Sequence, residues 1–413
     1  MNTEENPFVS HMEKQISDPN FRASQRALER IKNILQLLKA PKIDTPALEA
    51  LCFNGIPDEC SSLRSLCWKI FLGYLPSTTS RWEKSLADHR KNYAQYIDDF
   101  YTRLVAALKI QTEKRKIEKE NWLAAIKAAE ENKEGDNKST NKNNVNAELE
   151  ILHFSKREEL YPGFMYDDDL WDDIVKDTKR TRSEMDFYQR ETEHSRESNK
   201  DKKPEEVVEE THNDVLARML FIYAKLNPGV RYVQGMNEIV APIYYIFAAD
   251  KSPLFINQSE PDAFFCFSLL MGEIQDAFIK NLDKTNVGIQ ARMLSLNNLL
   301  KEVDFAVWDK LEKFGVNPQF YTLRWLMLLL TQEFELMDVI RLWDSLLSHP
   351  KKLEYLNYLC LAMIELLRDR ILESDDFADL IEMLQKQSAG DLDSILVEAA
   401  RLYQAHSKSA KKV

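Results

Sequence analysis

Residues 213–247 read NDVLARMLFIYAKLNPGVRYVQGMNEIVAPIYYIF, and their pattern predicts two helices joined by a tight turn. An apolar stripe at helical spacing runs through the first half and consists of Val215, Met219, Leu220 and Tyr223. Asn227-Pro228-Gly229 is typical of a turn and ends the first helix. A second apolar segment, over about 236–247, predicts the next helix. Segments of similar texture continue along the chain, which favours an all-α protein.

The composition favours the same fold class. Hydrophobic residues make up 44% of the 413 residues, which is enough for a sizeable core. Only 10 residues are glycine, well below the roughly 7% of an average protein. Few glycines and little Val/Thr alternation disfavour β-sandwiches, barrels and glycine-rich loops. We therefore predict an all-α fold with a single large multi-helix domain.

Two charged segments interrupt the helical pattern. Residues about 110–148 and about 190–210 are rich in charged residues and lack an apolar period, which predicts disordered charged inserts. The first part of the earlier insert is also compatible with a charged extension of the helix predicted over 80–109. Residues 151–188, between the inserts, are too few to fold alone, so both inserts belong within one domain.

The charge and hydropathy of the chain argue against several function classes. The formal net charge is −12, whereas a nucleic-acid-binding protein needs a basic face. The N-terminus has no apolar segment typical of a secretory signal, and no apolar run is long enough to span a bilayer. The five cysteines are an odd number without a C-x-x-C pair, which favours free thiols in a reducing, cytoplasmic compartment.

Motifs for metal binding or for autonomous catalysis are missing from the sequence. It contains no Walker-type lysine loop, no Gly-x-Ser-x-Gly element and no H-x-x-x-H pair. The acidic run Asp167-Asp168-Asp169 lacks the glycine and the distal glutamate of a calcium loop, so we interpret it as a solvated helix start. We predict no metal site in this chain.

Arg180 and Gln234 are the candidate catalytic residues. Asp177 precedes Arg180 by three residues, and on a helix this spacing lets the carboxylate orient the guanidinium. Gln234 follows a Pro-Gly turn and precedes a helix, where backbone N–H groups favour an anion. Taken singly, each feature has a simpler interpretation, because surface ion pairs and helix-capping amides are common.

Further motifs accompany these two residues in a defined order. They are Gly55-Ile56-Pro57, Leu63-Arg64, Trp68, Ile174-x-x-Asp177-x-x-Arg180-Thr181, Tyr232-x-Gln234-Gly235-Met236-Asn237, Trp325 and Trp343-Asp344. In this order and spacing they resemble the TBC-domain GTPase-activating proteins of Rab GTPases, over roughly residues 53 to 350. The family commonly has a proline shortly after the Arg-Thr pair, where this chain has Arg182-Ser183. Arg182 is an alternative candidate, but it lacks an acidic residue three positions before it.

The resemblance implies a mechanism with two residues supplied in trans to a GTPase. Arg180 would stabilise charge on the transferring phosphoryl group, and Gln234 would position the attacking water. The implied supporting roles are a brace for Arg180 from Asp177, packing under the loop by Tyr232, and support of the loop backbone by Gly235 and Asn237. The implied scaffold residues are Arg64, Trp68, Trp325, Trp343 and Asp344.

The resemblance also implies the domain organisation and the partner. We expect an N-terminal helical extension over 1–52, the TBC domain over 53–350, and C-terminal helices with a frayed basic tail over 351–413. The partner would be a Rab GTPase in its GTP-bound form, and GTP and Mg²⁺ would be bound by that partner. The chain would then be a GTPase activator and no enzyme by itself. It would be cytoplasmic and reach endomembranes through the GTPase.

Two alternatives stay open from the sequence. The first is a catalytically silent Rab-binding adaptor with the same fold, which the presence of both Arg180 and Gln234 disfavours. The second is an unrelated helical scaffold in which the motif matches are coincidental.

Overall fold

The computed structural model describes residues 6–131, 163–193, 209–250, 252, 255–279, 288–386 and 391–410. The helices of this part of the chain are α1 Pro7–Ile16, α2 Gln25–Leu38, α3 Thr45–Cys52, α4 Leu63–Phe71, α5 Trp82–Tyr96, α6 Thr102–Glu131, α7 Phe164–Thr178, α8 Asp186–Gln189, α9 His212–Leu226, α10 Met236–Ala248, α11 Ser259–Ile274, α12 Ile289–Val303, α13 Phe305–Lys313, α14 Gln319–Met327, α15 Leu336–Leu347, α16 Lys352–Glu365, α17 Arg368–Glu373, α18 Phe377–Gln385 and α19 Leu392–Ala410. The described residues contain no β-strand, only two isolated bridges, so the all-α prediction is confirmed.

The stretch 213–247 forms the two predicted helices, and its ends follow local chemistry. Thr211 and Asp214 form a capping box that satisfies N–H groups at the start of α9. Most residues of α9 are buried, because this helix packs against α7, α10 and α11. The adjacent α10 is also apolar and packs most extensively on α11. This central group of helices carries the loop that contains Gln234.

The helix predicted over 80–109 is interrupted. After α5, residues Ile97–Tyr101 form a π-helical turn, and α6 then continues to Glu131. The first part of the segment 110–148 is therefore a helical extension, whereas residues 132–148 lie outside the described residues. Residues 194–208 of the second predicted insert and residues 411–413 of the predicted basic tail also lie outside them.

The two edges of the second insert lie side by side. Glu191 and Thr211 form an isolated antiparallel bridge. The amide of Thr192 donates to the carbonyl of Glu210 at 2.8 Å, and the amide of His212 donates to the carbonyl of Arg190 at 3.1 Å. Residues 190–192 and 210–212 are therefore held next to each other by backbone hydrogen bonds.

The carboxylate of Asp344 joins distant parts of the sequence. It is fully buried and accepts hydrogen bonds from the Ile56 amide at 2.8 Å, Trp68 Nε1 at 2.8 Å and Arg64 Nε at 3.0 Å. Burial raises the pKa of Asp344, although the Arg64 charge and the donated hydrogen bonds act in the opposite direction. The loop before α4, α4 itself and α15 are thereby fixed to one another.

Replacing this carboxylate should destabilise the fold. Asp344→Asn keeps the side-chain shape but removes the buried counter-charge of the mostly buried Arg64 side chain, which then has only the exposed Asp58 beside it. We expect the free energy of unfolding to fall by about 3–5 kcal/mol, measured by chemical denaturation. Asp58 contacts the same arginine with a side chain that is 82% exposed, so Asp58→Asn should cost about 1 kcal/mol or less. Equal losses in the two variants would contradict the role assigned to Asp344.

Candidate functional site

Arg180 lies in a turn directly after α7. The sequence places Asp177 and Arg180 on one helix, but the structure ends α7 at Thr178, so this prediction was wrong for Arg180. The contact is kept, because Arg180 Nη2 donates to Asp177 Oδ1 at 2.6 Å and Nε donates to the Lys176 carbonyl at 3.2 Å. The Arg180 side chain remains 70% exposed, so the guanidinium is oriented and still accessible to a partner.

Gln234 lies in the loop directly before α10. Gly235 is the N-cap residue of α10 and has a φ of +103°, a conformation that side chains rarely adopt. Gln234 is exposed, and its side-chain carboxamide makes no hydrogen bond to any other described residue. It is therefore no capping amide, which removes the simpler interpretation of this residue.

Hydrogen bonds connect the arginine turn with the glutamine loop. The Tyr232 hydroxyl donates to Asp177 Oδ2 at 2.7 Å, while Arg180 occupies the other oxygen of the same carboxylate. Burial and the nearby Asp177 charge raise the pKa of Tyr232, so its hydroxyl stays protonated and remains a donor. The Tyr232 ring packs against the hydrophobic core, and its hydroxyl adds a polar bridge between the two loops that the sequence did not predict.

Asn237 completes the connection from the first turn of α10. Its Oδ1 accepts from the Gly235 amide at 3.1 Å, and its Nδ2 donates to Thr181 Oγ1 at 2.8 Å. The Thr181 hydroxyl donates to the Asp177 carbonyl at 3.1 Å. Gly235, directly after Gln234, is thus connected through Asn237 to Thr181, directly after Arg180. The two segments lie more than 50 positions apart in the sequence.

Arg182 points inward, in contrast to Arg180. Its side chain is only 6% exposed. Its Nη1 donates to the Phe334 carbonyl at 2.9 Å, and its Nη2 donates to the Thr331 carbonyl. Arg182 is therefore no alternative to Arg180 as a group offered to a partner. The sequence predicted neither the carbonyl contacts of Arg182 nor the contact of Thr181 with Asn237, because these contacts are made across the fold.

The buried tryptophans support the turn beneath the glutamine loop. Trp325 and Trp343 are fully buried, and the Trp343 ring lies 5.9 Å from that of Trp68. Trp343 Nε1 donates to the Leu329 carbonyl at 3.1 Å. The neighbouring Leu328 packs against Gly235, where an added Cβ would meet Leu328 Cδ2 at 2.7 Å. The hydrogen-bonded group around Asp344 is therefore connected to the candidate site through Trp343, Leu329 and Leu328.

The acidic run at the start of α7 is partly buried, so its interpretation as a solvated helix start was wrong. Asp167 pairs with Lys225 at 2.8 Å, and Asp168 accepts from Gln111 Nε2 at 3.3 Å. Among the described residues, no group of three or more His, Cys, Asp and Glu side chains is placed to hold a metal ion. The same part of the chain has no helix with the length and apolar character needed to span a membrane.

Comparisons with known proteins agree on one protein family. The family model described as Rab-GTPase-TBC domain matches residues 61–372. A Homo sapiens protein named TBC1 domain family member 13 is 36% identical over 400 residues, which cover 90% of this chain and 97% of that protein. The Schizosaccharomyces pombe GTPase-activating protein gyp1 is 25% identical over 397 residues, or 91% of this chain and 61% of that protein. The crystal structure of the Ypt/Rab-GAP domain of Gyp1p matches with a TM-score of 0.64 and 22% identity, covering 93% of this chain and 99% of the other.

Gly235 should be sensitive to substitution. Gly235→Ala places a side chain at positive φ against Leu328, so the free energy of unfolding should fall by about 1–2 kcal/mol in chemical denaturation. Gly229→Ala is the matched control in the same loop, because an added Cβ meets nothing within 4 Å there. That control should be neutral or stabilising by up to about 1 kcal/mol. A loss for Gly229→Ala as large as that for Gly235→Ala would contradict this account of the loop.

Proposed function

This chain belongs to the Rab-GTPase-TBC domain family, and on that basis we propose that it accelerates GTP hydrolysis by a Rab GTPase through Arg180 and Gln234. One observation carries the proposal: both side chains are exposed, and Asp177, Tyr232 and Asn237 join the segments that present them. Two polar groups held in this way can enter the active site of another protein together.

Arg180 supplies positive charge to the reaction. Phosphoryl transfer spreads negative charge over the equatorial oxygens and the leaving group, and an arginine supplied in trans stabilises that charge. Asp177 reduces the orientational freedom of the guanidinium before the partner arrives, because it holds Nη2 at 2.6 Å. A preorganised donor loses less free energy on ordering when the complex forms.

Gln234 orients the attacking water in this mechanism. A carboxamide both donates and accepts hydrogen bonds, so it can hold a water molecule in line with the γ-phosphate. The Gly235 backbone and the Asn237 side chain fix the loop that carries it. The GTPase binds GTP and Mg²⁺ in its own site, and this chain meets it in the GTP-bound form.

Removing either group should abolish most of the stimulation. Single-turnover GTP hydrolysis by a panel of purified Rab GTPases is measured with the wild type and with each variant. Arg180→Ala should lower the stimulated rate about 10³-fold or more, and Gln234→Ala about 10²-fold. Lys176→Ala removes a neighbouring cation that is 69% exposed and should leave the rate unchanged.

The outcomes of this experiment separate the alternatives. Full stimulation by folded Arg180→Ala and Gln234→Ala proteins would sink the two-residue mechanism. Binding to a GTPase without stimulation by the wild type would favour the silent adaptor. Circular dichroism of each variant establishes that the fold is retained.

The bridging hydroxyl of Tyr232 should contribute a smaller effect. Tyr232→Phe removes the hydrogen bond to Asp177 and leaves the ring, so we expect a drop in stimulated rate of about tenfold. Tyr358→Phe also removes a hydroxyl hydrogen bond, to His406, but α16 contributes no residue to this site. A normal rate for Tyr232→Phe, or an equal drop for both variants, would contradict the bridging role.

A further inference from the structure

We propose that Arg182 and Glu238 form a buried positioning pair that sets the placement of Arg180 relative to Gln234. The inference rests on the proposed function and assigns roles to two residues that touch neither GTP nor water. Arg182 follows Arg180 by two positions, and Glu238 follows Gln234 by four. The pair therefore connects the two segments at a second point, beyond the connection through Asp177 and Tyr232.

The guanidinium of Arg182 connects three elements. Its Nη1 and Nη2 donate to the carbonyls of Phe334 and Thr331, in the loop between α14 and α15. Its Nε lies 3.5 Å from Glu238 Oε2, in the first turn of α10. An arginine can make all these contacts at once because its planar group presents donors in fixed, diverging directions, and a lysine cannot.

The carboxylate of Glu238 faces both segments. Its Oε1 accepts from Asn237 Nδ2 at 3.1 Å, and Asn237 also binds the Gly235 amide and the Thr181 hydroxyl. The side chain is 10% exposed, and burial raises its pKa, while the Arg182 charge acts against that rise. Glu238 therefore links the inward-pointing Arg182 to the residues that fix the glutamine loop.

The backbone conformation of Arg182 connects the buried pair to the direction of the Arg180 side chain. Arg182 has a φ of +47°, a left-handed conformation that costs a non-glycine residue free energy. The buried contacts of its side chain hold the chain in that conformation. Because Arg182 follows Arg180 by only two positions, the outward direction of Arg180 depends on the inward anchoring of Arg182.

An ion pair in such a buried place is not required for stability. Buried pairs are weak contributors to net stability compared with apolar residues of similar size. Arg182 Nε has no hydrogen-bond partner among the described side chains and main chain, and its 3.5 Å ion pair is long. These contacts are therefore better explained by a role in positioning the two loops than by a role in stabilising the core.

The test separates the rate of the chemical step from binding. Glu238→Gln keeps the shape and the acceptor for Asn237 but removes the buried one of the two carboxylate charges beside Arg182, and leaves the more exposed Glu184 in place. Arg182→Lys keeps the charge but not the fork of donors. The GTPase that the wild type stimulates most is used. Its affinity is measured with a non-hydrolysable GTP analogue and with GDP plus aluminium fluoride, which mimics the transferring phosphoryl group.

We expect each variant to bind the GTP-analogue form within about twofold of the wild type. The maximal single-turnover rate and the affinity for the aluminium fluoride form should both fall about 10–100-fold, the scale for misplaced reacting groups. Arg401→Met removes an arginine that is 63% exposed and paired with Glu398 in α19, and it should change none of these values.

A normal maximal rate in folded Glu238→Gln and Arg182→Lys proteins would overturn the inference. So would a proportional loss of affinity for both GTPase forms, which indicates a general structural defect. If the wild type itself stimulates no GTPase in the panel, the proposed function fails. If the wild type is active and these variants match it, only the positioning role fails.

Discussion

The fold depends on one buried carboxylate. Asp344 lies near the end of α15, yet it binds groups from the loop before α4 and from α4 itself. A charge at full burial is costly unless paired and hydrogen-bonded, and here every oxygen has a partner. The neighbouring Trp343 extends this anchor to the Leu329 carbonyl and so to the turn that packs on Gly235. The same interaction that closes the domain therefore supports the glutamine loop.

The candidate site has an exposed layer over a buried one. Arg180 and Gln234 face outward, while Asp177, Tyr232 and Asn237 below them exchange hydrogen bonds. A group that must act inside another protein has to be accessible, and it also has to be held in one orientation. The division into two layers meets both requirements, because the orienting residues form their hydrogen bonds with groups of this chain.

Local sequence signals predicted the helices well, and they predicted the loop that carries Gln234. Apolar periodicity gave α9 and α10, and a Pro-Gly turn indicated the boundary between them. What the sequence did not predict are the contacts made across the fold. Arg182 binds carbonyls 149 and 152 positions away, and Asp167 pairs with a lysine 58 positions away. No periodicity or spacing encodes such contacts, so Arg182 was only an alternative candidate and the acidic run was assigned to solvent. The end of α7 before Arg180 was missed for a related reason, since the turn is stabilised by buried contacts of Arg182.

Because Glu191 and Thr211 form a bridge, the geometry of the site does not depend on the length of the chain between them. Because the two ends are paired, lengthening the segment between them adds only a small entropic cost, about 0.6 kcal/mol for each doubling of its length. Such a position tolerates insertion, because neither helix flanking it must move. A fluorescent protein or an affinity module placed there would report on this molecule in cells while α7 and α10 keep their relative placement.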